Sequence, residues 1–190
     1  MCGTKELVPA RRQPKDAPLI DGRMIQAEIP HLRRYALALV REREPADDLV
    51  QDTLERAWRK RTLWLPYGRL RSWLFRILYR LYLDRRPRLH RTRHNLISLD
   101  EFGTEVSNRI TSDQTSLYCR DVLQAIDRLS TSHRAILLLI ALEQPSYAEG
   151  ARILGVRVGT FRSRLSRARD KLAEQLMDET TPKLDSAHQP

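Results

Sequence analysis

Apolar residues along the chain recur at steps of three and four, the period of a helix with one buried face. Ile25, Ile29, Leu32, Ala36 and Leu39 form one stripe. Val50, Leu54, Ala57 and Trp58 form a second, and Leu70, Leu74, Ile77, Leu78 and Leu81 a third. After an interruption the pattern resumes with Val122, Ile126 and Leu129, then Ile136, Leu137, Leu139 and Ile140, then a short stretch at 147–154. Phe161, Leu165, Ala168, Leu172 and Leu176 predict a last helix from about 158 to 177. No segment keeps the two-residue alternation of a half-buried strand. The pattern predicts an all-α protein.

The interruption sets the organisation. Residues 95–116 place Asp100, Glu101, Glu105 and Asp113 against Arg109 among small polar residues, and read as a flexible linker. They divide a helical domain at 19–94 from a second at 117–178. Residues 1–18, with three Pro, read as a disordered leader, and 179–190 as a disordered tail. Pro45 followed by Asp47 and Asp48 suits a helix start, because Pro fits the first turn and acids complement the dipole.

The longest wholly apolar run, 135–142, is eight residues, far short of a membrane span. The N-terminus lacks the apolar core of a secretory signal. Cys2 and Cys119 supply neither a disulfide framework nor a Cys-rich zinc site, so a cytoplasmic protein without membrane insertion is expected.

Charge adds a partner to this picture. Lys and Arg total 34 against 24 acids, a net charge of +10. All but five of the 34 are Arg, the better residue for bidentate contacts to phosphate and guanine. The excess is uneven. Residues 41–55 hold six acids against Arg41 and Arg43, whereas 56–93 hold thirteen basic residues against Asp84. Trp58, Trp64, Tyr67, Trp73, Phe75, Tyr79 and Tyr82 interleave with those charges, as in grooves that stack single-stranded bases. Trp58 and Phe75 are expected in the core. Trp73, Arg76 and Arg80 share a different helical face and suit a surface role.

A helix-turn-helix is legible near the C-terminus. Ser146 and Glu149 have capping-box spacing, Ala151 follows, Gly155 suits a left-handed turn, and Phe161 can anchor a second helix. That helix carries Arg162, Arg164, Arg167, Arg169 and Lys171 against Asp170. Arg162, Ser163, Ser166 and Arg167 lie off its apolar stripe and could enter a major groove. A plain helical hairpin with a solvated basic face is the alternative.

Catalysis finds little support: there is no Gly-rich phosphate loop, nucleophile elbow or kinase signature. His90 and His94 have i, i+4 spacing, but Arg91 and Arg93 between them disfavour a metal. Neither enzymatic activity nor a cofactor is expected.

Asp47-Asp48-Leu49-Val50-Gln51-Asp52-Thr53-Leu54, Ala57-Trp58 and Trp73-Leu74-Phe75-Arg76-Ile77 resemble conserved region two of extracytoplasmic-function (ECF) sigma factors. The run from Gly159-Thr160-Phe161 through Arg167-Ala168-Arg169 resembles their region four. Both occur in the family's order.

The resemblance implies a dissociable specificity subunit of bacterial RNA polymerase. Asp48, Leu49, Gln51 and Asp52 would dock on the core enzyme's clamp helices. Trp73, Arg76 and Arg80, with Arg61, Arg69 and Arg71 of the 61–71 loop, would melt and hold the minus-ten element. Arg162, Ser163, Ser166 and Arg167 would read the minus-thirty-five element in duplex promoter DNA. The rest of the second domain would sit on the flap, the acidic linker would run toward the RNA exit path, and an anti-sigma factor is an expected partner.

Two positions depart from the family. Arg80 stands where Asn is common, which bears on minus-ten base choice. Gly150 stands where Ile is usual and should cost its helix about 1 kcal/mol relative to Ala. Two other classes compete: a free-standing helix-turn-helix regulator and a DNA-processing enzyme. The acid/base division of residues 41–93 speaks against the first. The lack of a strand-rich catalytic segment speaks against the second.

Overall fold

Pro30 decides where the first long helix begins. In a computed structural model describing residues 20–64, 69–89 and 113–180, the first apolar stripe is split between two helices. α1 (Gly22–Gln26) is followed by a turn at 27–28, and α2 (Ile29–Val40) starts with Pro30 in its first turn. Proline has no N–H to give a preceding carbonyl, so it starts a helix more readily than it continues one. α1 is capped by Asp21, whose carboxylate accepts from the Arg23 N–H.

α3 (Arg43–Arg59) follows a left-handed Arg41 (φ 68°), and a single 3-10 turn at Arg61–Leu63 closes it. α4 is the long helix Leu70–Leu89. Leu32, Tyr35, Ala36 and Leu39 from α2 meet Leu49, Val50 and Ala57 from α3 and Leu74, Phe75 and Leu78 from α4 in the core. The Tyr35 and Phe75 rings pack with centroids 5.3 Å apart.

The second half begins with α5 (Asp113–Arg128), whose first turn lies inside the segment expected to be linker. α6 (Thr131–Glu143) is N-capped by Ser130 and ends on left-handed Gln144 (φ 45°). α7 is Tyr147–Leu154 and α8 is Val158–Thr180. The expected leader, the linker at 95–112 and the tail beyond 180 lie outside the described residues, as do His90 and His94. Among the described residues there is no strand, and no helix is long and apolar enough to cross a membrane.

The two halves do not stand apart. α2 packs on α6, and α4 packs on α7. One apolar core runs from Leu32 and Phe75 through Ala135, Ile136 and Leu139 to Ile153 and Phe161. Tyr35, fully buried, donates its hydroxyl to the Ala135 carbonyl at 3.0 Å. Burial, reinforced by Tyr79 and Tyr82, pushes that hydroxyl well above its usual range, so it stays protonated and able to donate. Arg41 reaches across to the Leu123 carbonyl at 2.7 Å and to Asp127 at 3.0 Å.

Candidate nucleic-acid interface

The helix-turn-helix is assembled from its caps inward. The Ser146 hydroxyl accepts from the Glu149 N–H at 3.3 Å, and the Glu149 carboxylate accepts from the Ser146 N–H at 3.1 Å. The Ser146 hydroxyl also donates to that carboxylate at 2.9 Å. This hydrogen bond is the main reason the Glu149 carboxyl sits below its usual range, with Arg69 and Arg152 adding to it. Gly155 turns the chain at φ 69°, a region that costs most side chains dearly, and the Val156 N–H closes on the Ala151 carbonyl at 3.0 Å.

Gly150 has a second explanation besides backbone freedom. A β-carbon there would lie against Phe161 Cζ and 2.6 Å from its Cε2. Glycine thus lets the Phe161 ring, fully buried, seat directly on the α7 backbone. That close approach compensates the helix propensity lost at this position.

With Phe161, Leu165 and Ala168 buried, α8 turns Arg162, Ser163, Ser166, Arg167 and Arg169 outward. The Ser163 hydroxyl donates to the Thr160 carbonyl at 3.2 Å, leaving its lone pairs for a ligand. The Arg162 guanidinium lies 5.6 Å from the centre of the Tyr147 ring, and that ring is 6.0 Å from Phe161. Tyr147 was not singled out by pattern. Its signal was an aromatic in the first turn after the cap, with a partner on the next helix. A shallow cleft of about 280 Å³ between Tyr147, Arg162, Ser166 and Arg169 results. On the inner side, burial first and then Lys171, Arg164 and Arg167 lower the pKa of His133, so α8 makes its surroundings hostile to a further cation.

The second candidate surface lies on α4 and the segment before it. Arg80 is exposed, while Trp73 and Arg76 are half-buried, Trp73 packing against the core. No Arg80–Asp84 ion pair forms among the described residues. Phe75 is buried as expected, but Trp58 is 47% exposed, against expectation. It lies off the buried Val50/Thr53/Ala57 side of α3, and the Arg61 guanidinium covers its ring at 4.7 Å while donating to the Trp58 carbonyl at 3.0 Å. Residues 65–68 of the 61–71 loop lie outside the described residues.

Arg69 and Arg71 are held by carboxylates. Arg69 pairs with Glu149 at 3.2 Å, and Arg71 pairs with Glu28 at 2.6 Å and Glu143 at 3.5 Å. On α3, Asp48 and Gln51 are exposed and Asp52 pairs with Arg85. Leu49 is only 1% exposed. It supports that face from beneath and cannot itself present a docking surface.

Comparisons with known proteins match both halves of the chain. Residues 25–79 match the family described as the Sigma2 domain of PhyR, and residues 119–172 match Sigma-70, region 4. The chain is 34% identical over 152 residues to the ECF RNA polymerase sigma factor EcfG of Rhodopseudomonas palustris (strain TIE-1), covering 80% of this chain and 82% of that protein. It is 31% identical over 166 residues to the ECF RNA polymerase sigma factor SigE of Mycolicibacterium smegmatis, covering 86% of this chain and 64% of that one. Among solved structures, the sigma factor RpoE of Bartonella quintana, in complex with the anti-sigma factor NepR, superposes with a TM-score of 0.62 at 30% identity. That match covers 82% of this chain and 95% of the other. CnrH, in complex with the cytosolic domain of CnrY, gives 0.61 at 27% identity over 84% of this chain and 88% of the other. The chain belongs to the ECF family of RNA polymerase sigma factors, and it is a promoter-recognising factor that directs transcription initiation.

Proposed function

We propose that this sigma factor divides its work between the two surfaces, with Arg162, Ser163, Ser166 and Arg167 reading the upstream promoter element as duplex. The observation that carries this is the outward arginine face of α8, fixed by a buried Phe161 anchor and a capped partner helix. The first turns of a recognition helix meet base edges, which is where these four residues lie. Arg162 and Arg167 supply bidentate donors for guanine O6 and N7. The serines supply hydroxyls for phosphates or bases. Tyr147 holds Arg162 from behind.

Trp73, Arg76 and Arg80, together with Arg61, Arg69 and Arg71, face the melted minus-ten strand. Arg80 has five donors and no acceptor, so it favours phosphate, guanine or the face of an unstacked base over the selective pairing an Asn offers. The exposed Asp48 and Gln51 and the partly exposed Asp52 form the face for the polymerase core, with Leu49 buried beneath them. An anti-sigma factor is a further partner, since RpoE and CnrH, both similar to this chain, were solved with NepR and CnrY. The working compartment is the cytoplasm.

Transcription by the full chain with purified core polymerase on a randomised promoter library tests this. Enriched promoters should share two short elements, and Arg162→Ala or Arg167→Ala should relax the upstream one alone. Equal enrichment with both variants would overturn the assignment of α8.

A further inference from the structure

We propose that Tyr147 is a positioning residue for upstream base choice: its ring holds the Arg162 guanidinium in place on α8 before DNA arrives. This rests on the assignment of Arg162 to the upstream element.

Tyr147 is the first helical residue of α7, directly after the N-cap Ser146. The capping box fixes the backbone around it, and the Gly150 N–H closes the turn on the Ser146 carbonyl at 2.8 Å. The side chain is fixed as well. Its ring tilts at 45° to that of Phe161, which is fully buried against Gly150. That contact uses only part of the ring, for Tyr147 remains 42% exposed. Arg162 covers some of the rest, its guanidinium carbon 5.6 Å from the ring centre. Phe161 and Arg162 are consecutive, so one ring fastens both the anchor of α8 and the arginine that follows it.

The chemistry of this hold suits a side chain that must still bind. The face of a tyrosine ring attracts a guanidinium through its quadrupole. Among the described residues Arg162 has no carboxylate within 4.0 Å, and its guanidinium forms no hydrogen bond. Its five donors therefore remain for a guanine edge. A carboxylate would hold the same charge, but DNA would have to displace it. A side chain ordered in advance also loses less freedom on binding. An unheld arginine can swing to a neighbouring base or phosphate, whereas Arg162 loses the ring contact when it does so. The ring thus sharpens base choice rather than strengthening binding to every sequence.

Arg169 supplies an internal comparison. It lies seven residues on, lines the same cleft with Tyr147, Arg162 and Ser166, and is exposed. Among the described residues it has neither an ion pair nor a ring against its guanidinium.

Three substitutions in the full chain test the hold. Y147L and Y147M remove the ring while covering Phe161 with an apolar side chain, and Y147F keeps the ring without its hydroxyl. Transcription with core polymerase is measured on promoters varied through the upstream element. Y147F should keep the parent's base preferences. Y147L and Y147M should weaken discrimination about two- to fivefold, the worth of an exposed cation–π contact, and only at the base pair where R162A does. In the R162A background, Y147L should change nothing further at that base pair. Parent-like preferences in Y147L and Y147M would overturn the proposal. So would weakening that is even across all sequences, which is damage to the helix-turn-helix, or a loss in Y147F equal to that in Y147L, which traces the effect to the hydroxyl.

R162A with the parent's preferences would instead count against the assignment of Arg162. Side-chain mobility in the free full chain reads the hold independently of that assignment. By nitrogen-15 relaxation, the Arg162 Nε–H should be more rigid than that of Arg169 in the parent and in Y147F, and equally mobile in Y147L. Arg162 as mobile as Arg169 in the parent would overturn the proposal whatever the promoters show.

Discussion

Replacing Gly150 by Ala sets two effects of known sign against each other. In the middle of a helix, Ala is favoured over Gly by about 1 kcal/mol. The new methyl, however, would sit 2.6 Å from Phe161 Cε2 and 3.2 Å from Cε1, against an optimum of about 3.5–4.0 Å between carbons. The ring cannot simply swing away. It is fully buried, with Tyr147 at 6.0 Å on one side and the shared core behind it. Forcing a methyl into such a site costs typically 1–3 kcal/mol, and the severity of this contact places G150A toward the upper end. Net destabilisation of about 1–2 kcal/mol follows, or a melting temperature lower by about 2–8 °C for a chain of this size.

Thermal and urea unfolding of the full chain measure this, and a double-mutant cycle with F161L identifies the cause. Phe161→Leu alone leaves a void and destabilises. In the double variant the methyl occupies part of that void, so the coupling should be favourable by about 1 kcal/mol or more. G150A melting at or above the parent, or additivity with F161L within about 0.5 kcal/mol, would refute the close-approach explanation.

Asp48→Lys with Gln51→Lys should weaken binding to core polymerase by one to several kcal/mol without lowering the melting temperature, because both side chains are exposed; fluorescence titration with core reads the first and unfolding the second. Arg162→Ala or Arg167→Ala should cost about 1–3 kcal/mol on the preferred upstream duplex if the residue reads a base edge. If it holds only phosphate, binding should instead weaken evenly across sequences with a shallower salt slope. The lowered pKa of His133 means that the unfolded chain takes up this proton more readily than the folded one, so stability should fall as pH drops below about 6.5 and level off once the folded form also protonates. His133→Gln should flatten that part of the melting-temperature profile while leaving any loss at lower pH, where Glu149 and other carboxylates titrate, in place.

The helices were legible because each buries a stripe at its own period. Phe161, Leu165 and Ala168 were named from spacing alone and are buried, and the short helix at 147–154 appears with its capping box formed. Two residues of α3 face otherwise than expected. Spacing groups Trp58 with Val50, Leu54 and Ala57 as an inward stripe, but the buried side of α3 passes through Val50, Thr53 and Ala57, and a ring one position on lands at the edge, under Arg61. The motif groups Leu49 with its acidic neighbours as a docking face, yet helical geometry turns it to the core beside the buried Val50.

Packing between the halves was not legible, and the reason is chemical. Arg34, Arg71 and Glu143 have the composition of solvent-facing residues, and nothing in a linear pattern tells a charge facing water from one facing a distant opposite charge. What the fold adds is a sorting of the arginines. Arg34, Arg41, Arg69 and Arg71 of the first half meet Glu143, Asp127 and Glu149 of the second. Arg162, Arg164, Arg167 and Arg169 on α8 form no ion pair within 4.0 Å among the described residues. The net charge of +10 therefore overstates what is available to a polyanion on one surface and leaves it intact on the other. On the proposed assignment, duplex reading by α8 would draw on cations not held by carboxylates, whereas strand capture by Arg69 and Arg71 would first have to break ion pairs. Salt should consequently act differently on the two proposed surfaces: raising ionic strength weakens phosphate contacts by α8 throughout, whereas around Arg69 and Arg71 it also weakens the competing ion pairs and so partly offsets the loss. A shallower salt dependence for single-strand binding than for upstream duplex binding, measured on the same full chain, is the signature of that exchange.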